Sequence, residues 1–549
     1  MNLVLTYAFT LCFTLCLLYY TASAFQWFSY RLNRVLFHFA KPRWHLYFFV
    51  IPLAAFVVAA ALFQSAFGVG AVAVFYAGLV LFWSRGLDKK LVFTARVKRI
   101  FAFVLILFSF CWFLQFPAWV TPIFSIAFAL IFSNASEALL AKYYQQKALK
   151  QLKENRDLKI ILITASFGKT SIKNFIFELL KQDFVCYKTP RSVNTLGGIV
   201  RDINENLPPN CQIYIAEAGA RQTGDIKEIT QFLQPQVVVV GQIGKAHIEY
   251  FKTLENIRNT KLEALQSRRL EAVFLHSSAL GLTSGGEASC SEANGGEVSC
   301  NEAARNEALA QLAKRLEGSK ESNFATLFAA AWQENLSKSN LNLATSQNQP
   351  QMASVVVYDD QISAVKSSLD GLEFEVEFSR GEQKTRFCAP LLGAFNAQNI
   401  GVSLLVARHF GVSLSVLENA VKKLAGVPNR LALMRAGGKV IIDDSFNGNF
   451  DGMRESYALA SQWAGRKVLL TPGLVEAERA QNEELAKLMN EVFDIVVITS
   501  ELNYAVISPF VTKPQLVTLF EKHKMQEWLL ENTRGGDLIL FSNDAPSFI

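Results

Sequence analysis

The spacing of apolar residues divides the chain into two parts. Three apolar stretches, about residues 3–25, 46–83 and 100–132, fill the N-terminal part, and the last two exceed the roughly 20 residues that one helix needs to cross a bilayer. From residue 158 onward, short runs rich in β-branched residues alternate with amphipathic segments. The pattern predicts an all-α transmembrane segment followed by α/β domains built on mainly parallel sheets.

Each of the two longer apolar stretches has room for a helical hairpin, with turns at 64–70 and 115–117. Five spans then place the basic loops 26–45, 84–99 and 142–159 on one side, which the positive-inside rule assigns to the cytoplasm. Because the half-stretches are short, three tilted or partly re-entrant spans are the alternative. A cleaved signal peptide is a competing interpretation of the first apolar stretch, which lacks a basic start.

Charge supports the same division of the chain. Residues 1–137 carry ten Lys and Arg and two acids, whereas the whole chain has a formal net charge of +7. The near-neutral remainder gives no reason to expect a nucleic-acid partner. No charged residue interrupts the apolar runs, which favours an anchor over a transport pathway. The eight cysteines form no CxxC pair and are interpreted as reduced thiols of a cytoplasmic protein.

These patterns predict four regions: a transmembrane segment of about five helices, possibly three, over 1–137, a basic linker over 138–157, a central domain over 158–430, and a C-terminal domain over 431–549. The central domain is interrupted at 281–350 by polar sequence that includes the tandem repeat GGEASCSEAN, GGEVSCNEAA. Such sequence buries little apolar surface, so we expect a mobile surface insert without chemistry.

A candidate phosphate loop follows the first predicted strand. The strand Lys159–Ile163 leads into TASFGKTS and then into an amphipathic helix. Backbone N–H groups at such a helix start can hold phosphate, Lys169 adds a cation, and the Thr170 hydroxyl can hold Mg²⁺. The full motif has glycine where Ile163 stands, so an ordinary strand-to-helix turn remains the alternative.

Two further candidates follow later strands. Glu217 ends the strand IYIAE, and His247 and Glu249 follow the strand VVVVG. Side chains just beyond the carboxyl ends of parallel strands line the crevice where ligands bind, so these residues are expected to face Lys169. A carboxylate and an imidazole could hold Mg²⁺ or Mn²⁺ there. When each residue is considered alone, the alternative for Glu217 is a solvated strand end and the alternative for His247 is a helix cap.

Seven segments, in order along residues 158–549, resemble the Mur ligase family, and most closely its MurF branch: ITASFGKTS, TPRSVNTLGG, IAEAGARQTGDI, VGQIGKAHIEYFKTLENIRNTKLEAL, LLGAFNAQNIGVSLL, GVPNRLALM and VIIDDSFNGNFDGM. The resemblance implies an α/β fold with a P-loop Mur-ligase central domain and a C-terminal Rossmann-like α/β domain. Here these domains follow the all-α transmembrane segment.

The resemblance also implies an activity. It is an ATP-dependent, ADP-forming amide ligase that adds D-alanyl-D-alanine to UDP-N-acetylmuramoyl-tripeptide through an acyl phosphate, in peptidoglycan precursor synthesis. The implied cofactors are ATP, Mg²⁺ at two sites and a carbamylated lysine. We expect small-molecule substrates, a membrane partner, no nucleic acid, a monomeric catalytic unit, and a multi-pass protein of the bacterial inner membrane with cytoplasmic catalytic domains.

The resemblance assigns roles position by position. The catalytic residues are Lys169, Lys261 and His247. The ATP-binding residues are Ser166, Phe167, Gly168, Lys169, Thr170, Ser171, Asn396, Asn399, Arg430 and Asp444. The metal ligands are Thr170, Glu217, His247 and Lys261 as its carbamate. The substrate-binding candidates are Ser192, Asn194, Thr195, Asn447 and Asn449. A solvated helix lysine at 261, helix caps at 396 and 399, and a surface charge at 430 are the alternatives.

The chain departs from the family at several positions. Ala165 stands where the family usually has glycine, Phe395 where this branch has histidine, and Phe450 where it has proline. The family's N-terminal uridine-binding domain has no room before residue 159, because the transmembrane segment occupies its place. Two other functions therefore stay open: a related ligase with another acceptor, such as a lipid-linked sugar or a polyglutamate-like polymer, and a nucleotide-binding scaffold or transport ATPase.

Overall fold

The structure is a computed structural model of the chain. It describes residues 2–28, 30, 32, 35, 43–63, 66–87, 90–191, 193–244, 248–282, 297–316, 322–329, 354–379, 381–446, 448–474 and 479–543. The chain forms two compact units, Met1–Gln146 and Lys147–Ile549.

The first unit is helical wherever the structure describes an element. Its helices are α1 (Asn2–Trp27), α2 (a continuous stretch of Arg43–His45, Leu46–Val50, Ile51–Val58 and Ala59–Phe63), α3 (Ala66–Arg85), α4 (Ala95–Phe113) and α5 (Thr121–Glu154). By length and composition, four helical segments could cross a membrane: Val4–Trp27, Arg43–Ala61, Ala66–Arg85 and Thr121–Glu154. The number of spans remains a prediction.

Residues 138–154, predicted as a basic linker, are helical and continue α5 without a break. Their sequence is rich in Ala, Leu, Lys and Gln, which are good helix formers, so nothing in it stops the helix. The α5 helix begins four residues after the turn predicted at 115–117, which lies between α4 and α5.

Aromatic side chains form the core of the first unit. Phe13 and Phe56 stack with ring centroids 4.1 Å apart. The hydroxyl of Tyr20 lies 2.9 Å from Nδ1 of His45. A Cβ at Gly70 would lie 2.8 Å from the ring of Phe9, so the glycine allows α1 and α3 to approach closely.

The central domain is built on a six-stranded, fully parallel sheet with strand order β2-β3-β1-β4-β5-β6. Its strands are β1 (Lys159–Thr164), β2 (Cys186–Lys188), β3 (Ile213–Glu217), β4 (Val237–Val240), β5 (Ala272–Leu275) and β6 (Ser354–Val357). The apolar β-branched runs of β1, β3 and β4 are buried on both faces, as parallel strands usually are. The sheet was predicted from these runs.

Helices cover both faces of this sheet. They are α6 (Lys169–Leu180), α7 (Leu196–Asn206), α8 (Asp225–Leu233), α9 (Ile248–Phe251) and α10 (Leu254–Leu262). Because β1 lies between β3 and β4, the loops after these three strands meet at one edge. Glu217 is paired in register with Ile163, which brings the end of β3 beside the candidate phosphate loop.

A three-stranded antiparallel sheet and two helices complete the central domain. The strands are β7 (Ile362–Ser368), β8 (Gly371–Val376) and β9 (Thr385–Ala389), and the helices are α12 (Phe395–His409) and α13 (Leu414–Val421). A further helix, α11 (Glu297–Leu316), lies in the predicted insert. Helix α12 is buried along most of its length and packs on α6.

The C-terminal domain has a second six-stranded sheet, of order β10-β11-β15-β12-β13-β14. Its strands are β10 (Ala432–Ala436), β11 (Lys439–Asp444), β12 (Lys467–Thr471), β13 (Ile495–Ile498), β14 (Gln515–Thr518) and β15 (Leu538–Ser542). Its helices are α14 (Phe450–Ser461), α15 (Arg479–Val492), α16 (Glu501–Ile507) and α17 (Met525–Asn532). Only β10 pairs antiparallel with its neighbour among these strands. The α/β fold is thus as predicted.

Part of the predicted surface insert is folded, which corrects the expectation for residues 297–316 and 322–329. The α11 helix (Glu297–Leu316) buries Leu309, Leu312 and Ala313 in the core of the central domain. Phe324 is also buried there. These apolar residues recur at helical spacing beyond the polar repeat, so the segment has a face to bury. The repeat itself lies mainly outside the described residues.

A matched pair of substitutions tests whether α11 is docked. Ala313 is buried and Ala310, one turn earlier, is exposed. Ala313→Asp would bury an unpaired carboxylate and should lower the free energy of unfolding by about 2 kcal/mol or more. That corresponds to roughly 4 °C in the apparent midpoint of thermal unfolding of the chain in detergent. Ala310→Asp should leave the midpoint unchanged, and equal effects would contradict the docking of α11.

Candidate active site at the edge of the central sheet

The loop between β1 and α6 has a fixed conformation. Gly168 has a φ of +77° and begins α6, and a Cβ there would lie 2.6 Å from Oδ1 of Asn399. Glycine is therefore required at this position. The backbone N–H of Ser166 donates to the carbonyl of Gln242 at 2.8 Å, and its hydroxyl donates to the carbonyl of Gly244 at 3.1 Å. The loop is thereby held against the segment that follows β4.

The alanine that departs from the family pattern is accommodated locally. Ala165 is completely buried, and a Cβ at Gly241 would lie 2.9 Å from the Cβ of Ala165. The extra methyl group at 165 thus occupies space that a glycine at 241 leaves open. Phe167 lies against Gly244 in the same way, since a Cβ at 244 would meet its ring at 2.7 Å. The loop keeps its path with these bulkier residues.

Lys169 folds back over its own loop. Its Nζ donates to the carbonyls of Ala165 at 2.7 Å and Ser166 at 3.3 Å. Burial lowers the pKa of Lys169 to about 8, with a further lowering by Arg430 and an opposing effect of Glu217. A phosphate group bound at the helix start would offer this ammonium a stronger partner than the carbonyls.

Glu217 lies at the centre of the site. Its Oε1 is 2.7 Å from Nζ of Lys173, and both side chains are 1% exposed. The hydroxyl of Thr170 donates to Oε2 of Glu217 at 3.3 Å. Ser171, the next residue of α6, is buried. The predicted neighbours Thr170 and Glu217 are therefore together, and they present a hydroxyl and a carboxylate oxygen, which are ligands that Mg²⁺ prefers.

Lys261 is buried near Lys169. Its pKa is lowered to about 7, first by burial and then by the charge of Lys169, whereas Glu263 and Asp225 oppose the shift. Glu263 is itself engaged, because its carboxylate accepts from the backbone N–H of Gly224 at 2.8 Å and of Lys227 at 3.0 Å, at the start of α8. Lys261 is therefore not a solvated helix lysine.

Arg430, at the end of the central domain, and Asp444, in the C-terminal domain, add two further ionisable groups to the site. Burial lowers the pKa of Arg430, and the charges of Glu217 and Asp444 oppose that shift. The guanidinium carbon of Arg430 lies 5.2 Å from the ring centroid of Phe446. Burial raises the pKa of Asp444 to about 7, against the backbone N–H of Leu431 and the charge of Arg430. Arg430 is thus a half-buried member of the cluster rather than a fully exposed linker charge.

Asn396 and Asn399 are both buried at the start of α12. Nδ2 of Asn396 donates to the carbonyl of Leu392 at 2.7 Å, and Nδ2 of Asn399 lies 3.3 Å from Oδ1 of Asn396. Asn399 covers Gly168, so this helix meets the loop that follows β1. The N-cap of α12 is Ala394, so neither asparagine caps its own helix start, and their role at the nucleotide stays a prediction.

The predicted substrate residues within the described chain have local structural contacts. The carbonyl of Asn194 accepts from the backbone N–H of Gly219 at 2.8 Å, just beyond β3. Thr195 is the N-cap of α7, and Asn449 is the N-cap of α14. Ser192, His247 and Asn447 lie outside the described residues.

Sequence reasoning missed Lys173 and Glu455. Lys173 follows Lys169 by one helical turn, so the spacing KTSIK was an available signal for a second lysine on the same face. Glu455 of α14 accepts from the backbone N–H of Ala394 at the start of α12. No sequence signal identifies that contact, because it joins residues 61 positions apart.

Within the described ranges, no group of three or more His, Cys, Asp or Glu side chains is arranged to hold a metal. The donors available are the hydroxyl of Thr170 and the carboxylate of Glu217. They fit Mg²⁺, which commonly takes one or two protein ligands and completes its shell with water and phosphate oxygens.

Comparison with known proteins identifies the central part of the chain. Residues 163–278 match the Mur ligase middle domain. The UDP-N-acetylmuramoyl-tripeptide–D-alanyl-D-alanine ligase of Rickettsia prowazekii is 31% identical over 138 residues, which are 25% of this chain and 29% of that protein. The ligase of the same name from Bacillus subtilis is 22% identical over 410 residues, covering 72% of this chain and 75% of that protein.

A similar fold occurs among solved structures. The MurF ligase from Thermotoga maritima in complex with ADP superposes with a TM-score of 0.53 at 19% identity, covering 74% of this chain and 80% of that one. At this identity the match shows the fold alone. Together with the sequence matches, it confirms the predicted resemblance to the Mur ligase family and its MurF branch.

The buried Asp444 predicts a pH-dependent stability. The folded protein keeps a proton on Asp444 up to about pH 7, whereas an unfolded aspartate loses it near pH 4. The folded state binds more protons in this window, so the contribution of Asp444 to stability falls as the pH rises from about 4 to 7. Asp444→Asn should remove that fall, measured as the thermal midpoint at pH 5 and pH 8. Asp451→Asn, at an exposed acid of the same domain, is the control and should behave as the parent. An unchanged pH dependence in Asp444→Asn would contradict the burial of this carboxyl.

Proposed function

Because residues 163–278 match the Mur ligase middle domain, we propose that the chain is an ATP-dependent, ADP-forming ligase. Its proposed reaction joins D-alanyl-D-alanine to the carboxyl end of UDP-N-acetylmuramoyl-tripeptide in peptidoglycan precursor synthesis. The names of the relatives from Rickettsia prowazekii and Bacillus subtilis support this choice within the family.

One observation carries the proposal: three cations, of which Lys261 is buried and Lys169 and Arg430 are half-buried, converge on the loop after β1. Burial lowers the pKa of all three cations. The charge of Arg430 lowers the pKa of Lys169 further, and the charge of Lys169 does the same to Lys261. Cations that are buried with too few anions are costly unless a ligand completes them. A triphosphate at the start of α6 would supply the missing negative charge.

The proposed ATP site consists of the loop and its neighbours from two other segments. The residues are Ser166, Phe167, Gly168, Lys169, Thr170, Ser171, Asn396, Asn399, Arg430 and Asp444. The contact between Asn399 and Gly168 supports a site shared by α6 and α12. Movement of the C-terminal domain, carrying Asp444, would complete or open the site around the nucleotide.

Thr170 and Glu217 would hold Mg²⁺, with His247 and the carbamate of Lys261 as further ligands in a two-site arrangement. When bound, Mg²⁺ neutralises phosphate oxygens and so lowers the repulsion between the two reacting anions. The hydrogen bond between Thr170 and Glu217 supports this assignment, because it brings two oxygen ligands side by side.

The surroundings of Lys261 support its carbamylation. Only a neutral amine attacks CO₂, giving a carbamate and one released proton. With a pKa of about 7, Lys261 has a substantial neutral fraction at physiological pH, unlike an ordinary lysine. The carbamate would turn a cation into an anionic oxygen ligand beside Lys169.

The proposed chemistry is a two-step acyl transfer. The carboxylate of the tripeptide attacks the γ-phosphorus of ATP, which forms an acyl phosphate and releases ADP. The amine of D-alanyl-D-alanine then attacks the acyl carbon, and the tetrahedral intermediate expels phosphate to leave the amide. The residues position the reactants and offset their charge. Ser192, Asn194, Thr195, Asn447 and Asn449 are the proposed contacts with the substrates.

We further propose that residues 1–137 anchor a monomeric catalytic unit in the bacterial inner membrane, with several spans and the catalytic domains in the cytoplasm. Support comes from the four helices that are long and apolar enough to cross a membrane, and from the basic loops between the apolar stretches.

A second candidate is a ligase with a different carboxylate acceptor. The described residues before β1 form only helices, so among them no α/β domain is available to hold a uridine nucleotide. A lipid-linked sugar or a polyglutamate-like polymer would not need such a domain. The substrate panel below decides between the two acceptors.

The decisive experiment measures phosphate release by the purified full chain in detergent, across a panel of amines and acceptors. Release that requires both D-alanyl-D-alanine and UDP-N-acetylmuramoyl-tripeptide supports the first proposal. Release with another acceptor selects the second candidate. Hydrolysis that is indifferent to any amine would contradict both and indicate a scaffold or transport ATPase.

Lys169→Ala should reduce ATP turnover by about 100-fold or more, because a cation aimed at the transferring phosphate is lost. Lys181→Ala, at the exposed end of the same helix, should keep the parent rate. Turnover by Lys169→Ala within about tenfold of the parent would disprove the assignment of Lys169.

Lys261→Ala should also lose turnover, and formate or acetate should restore part of it, because a small carboxylate can replace the oxygens of the carbamate. The parent protein labelled with ¹³CO₂ should show a carbamate carbon signal that grows as the pH rises through about 7 and is absent from Lys261→Ala. Lys169→Ala serves as the control that carboxylates do not restore. If neither rescue nor the carbon signal is observed, the carbamate proposal is wrong.

A further inference from the structure

We infer that Lys173 is a positioning residue that fixes Glu217 and ties it to the segment that follows β2. This inference rests on the proposed function, because it takes Glu217 as a ligand of the metal that accompanies the nucleotide. Lys173 is the fifth residue of α6 and has no role in the sequence patterns described above.

Three oxygen atoms lie close to the Lys173 ammonium group, two of them hydrogen-bonded carbonyls and the third an ion-paired carboxylate oxygen. Nζ lies 2.7 Å from Oε1 of Glu217, 2.7 Å from the carbonyl of Thr189 and 2.6 Å from the carbonyl of Arg191. An ammonium group has three donors and no acceptor. Two donors of Lys173 are thus taken by carbonyls and its charge is paired with Glu217, so we infer that it acts on the site through these partners.

The two carboxylate oxygens of Glu217 therefore contact different neighbours. Oε1 is tied to Lys173, while Oε2 lies 3.3 Å from the hydroxyl of Thr170, on the side of the loop that follows β1. The side chain is 1% exposed, so water does little to orient it. A partner that holds one oxygen of a ligating carboxylate sets the direction of the other, which is how outer-shell residues tune metal sites.

The other two contacts reach the chain beyond β2. Thr189 and Arg191 flank Pro190, and Arg191 has a φ of +46°, which is uncommon for a residue other than glycine. The hydrogen bonds from Lys173 to the two carbonyls stabilise this turn. The segment then reaches Asn194, whose carbonyl accepts from the backbone N–H of Gly219, two residues after Glu217. The turn is thus linked to the end of β3 twice, through Lys173 to Glu217 and through Asn194 to Gly219.

The two lysines of α6 have separate tasks. Lys169 lies over the loop, with carbonyl partners that a phosphate could replace. Lys173, one turn further along α6, contacts Glu217 and two backbone carbonyls, and we expect it to keep these contacts when the nucleotide binds. Because the turn at 189–191 leads to residues proposed to contact the substrate, Lys173 connects that segment to the metal site.

The alternative is that Lys173 merely neutralises a buried charge, and the two roles predict opposite changes in metal affinity. Removal of a positive charge close to a metal site would by itself tighten the binding of a cation. Loss of a positioning contact would weaken it, by roughly 10–100-fold for outer-shell partners.

The test measures Mn²⁺ affinity by electron paramagnetic resonance for the full chain in detergent with a non-hydrolysable ATP analogue. Lys173→Met, which keeps the length and apolar stem but no donor, should bind Mn²⁺ at least about tenfold more weakly than the parent. Lys181→Met, at the exposed end of α6, removes one charge nearby and should bind as the parent does. Equal or tighter binding by Lys173→Met would overturn the inference.

A second readout follows the link to the turn. In the parent, Mn²⁺ with the analogue should slow hydrogen exchange at the amide of Val193, which donates to the carbonyl of Pro190 at 3.1 Å. In Lys173→Met this slowing should be lost, and its retention would contradict the link. If Lys173→Met does not fold, Lys173→Arg is measured instead, because it keeps the charge but cannot place three donors on the same acceptors. If the parent itself fails to bind Mn²⁺ with the nucleotide, the proposed function fails rather than the role of Lys173.

Discussion

The ion pair between Glu217 and Lys173 is the contact on which the site depends. A buried carboxylate is costly unless it is paired and hydrogen-bonded, and here one lysine supplies a charge while a threonine hydroxyl supplies a hydrogen bond. The same lysine holds two backbone carbonyls of the neighbouring turn. Buried ion pairs can often be replaced by apolar residues without loss of stability, but such a replacement here would remove the oxygen ligand. The pair therefore serves the specificity of the site rather than the stability of the fold.

A bound anion would explain the remaining cations of the site. Burial lowers the pKa of Lys169, Lys261 and Arg430, and the neighbouring acids offset that lowering only in part. A site of this kind favours a polyanion because binding removes an electrostatic cost already present in the folded protein. The backbone on either side of Arg430 also adopts left-handed conformations, at Asn429 and Leu431, so the linker presents the guanidinium from a constrained turn.

Much of the fold was predictable because its strands are long apolar runs of β-branched residues. Val237–Val240, Ala272–Leu275 and Ile495–Ile498 are apolar runs that form buried strands, and the amphipathic helix predicted after the phosphate loop is α6. Short or exposed strands such as β2 and β14 were missed, because three or four residues without a clear apolar pattern give too little signal. The α11 helix was missed because its apolar face follows a polar repeat that dominates the composition of the insert.

The sequence by itself determined the apolar N-terminal segment, the α/β class and the segments that resemble Mur ligases, because each depends on local periodicity or on a short motif. It also indicated Lys169, Thr170 and Glu217 as neighbours, since the ends of parallel strands meet at one edge. Only the tertiary structure decided which charges are buried and what they touch. The lowered pKa of Lys261, the cover of Asn399 over Gly168 and the three partners of Lys173 join residues that are far apart in the chain, and desolvation depends on packing that no local pattern encodes.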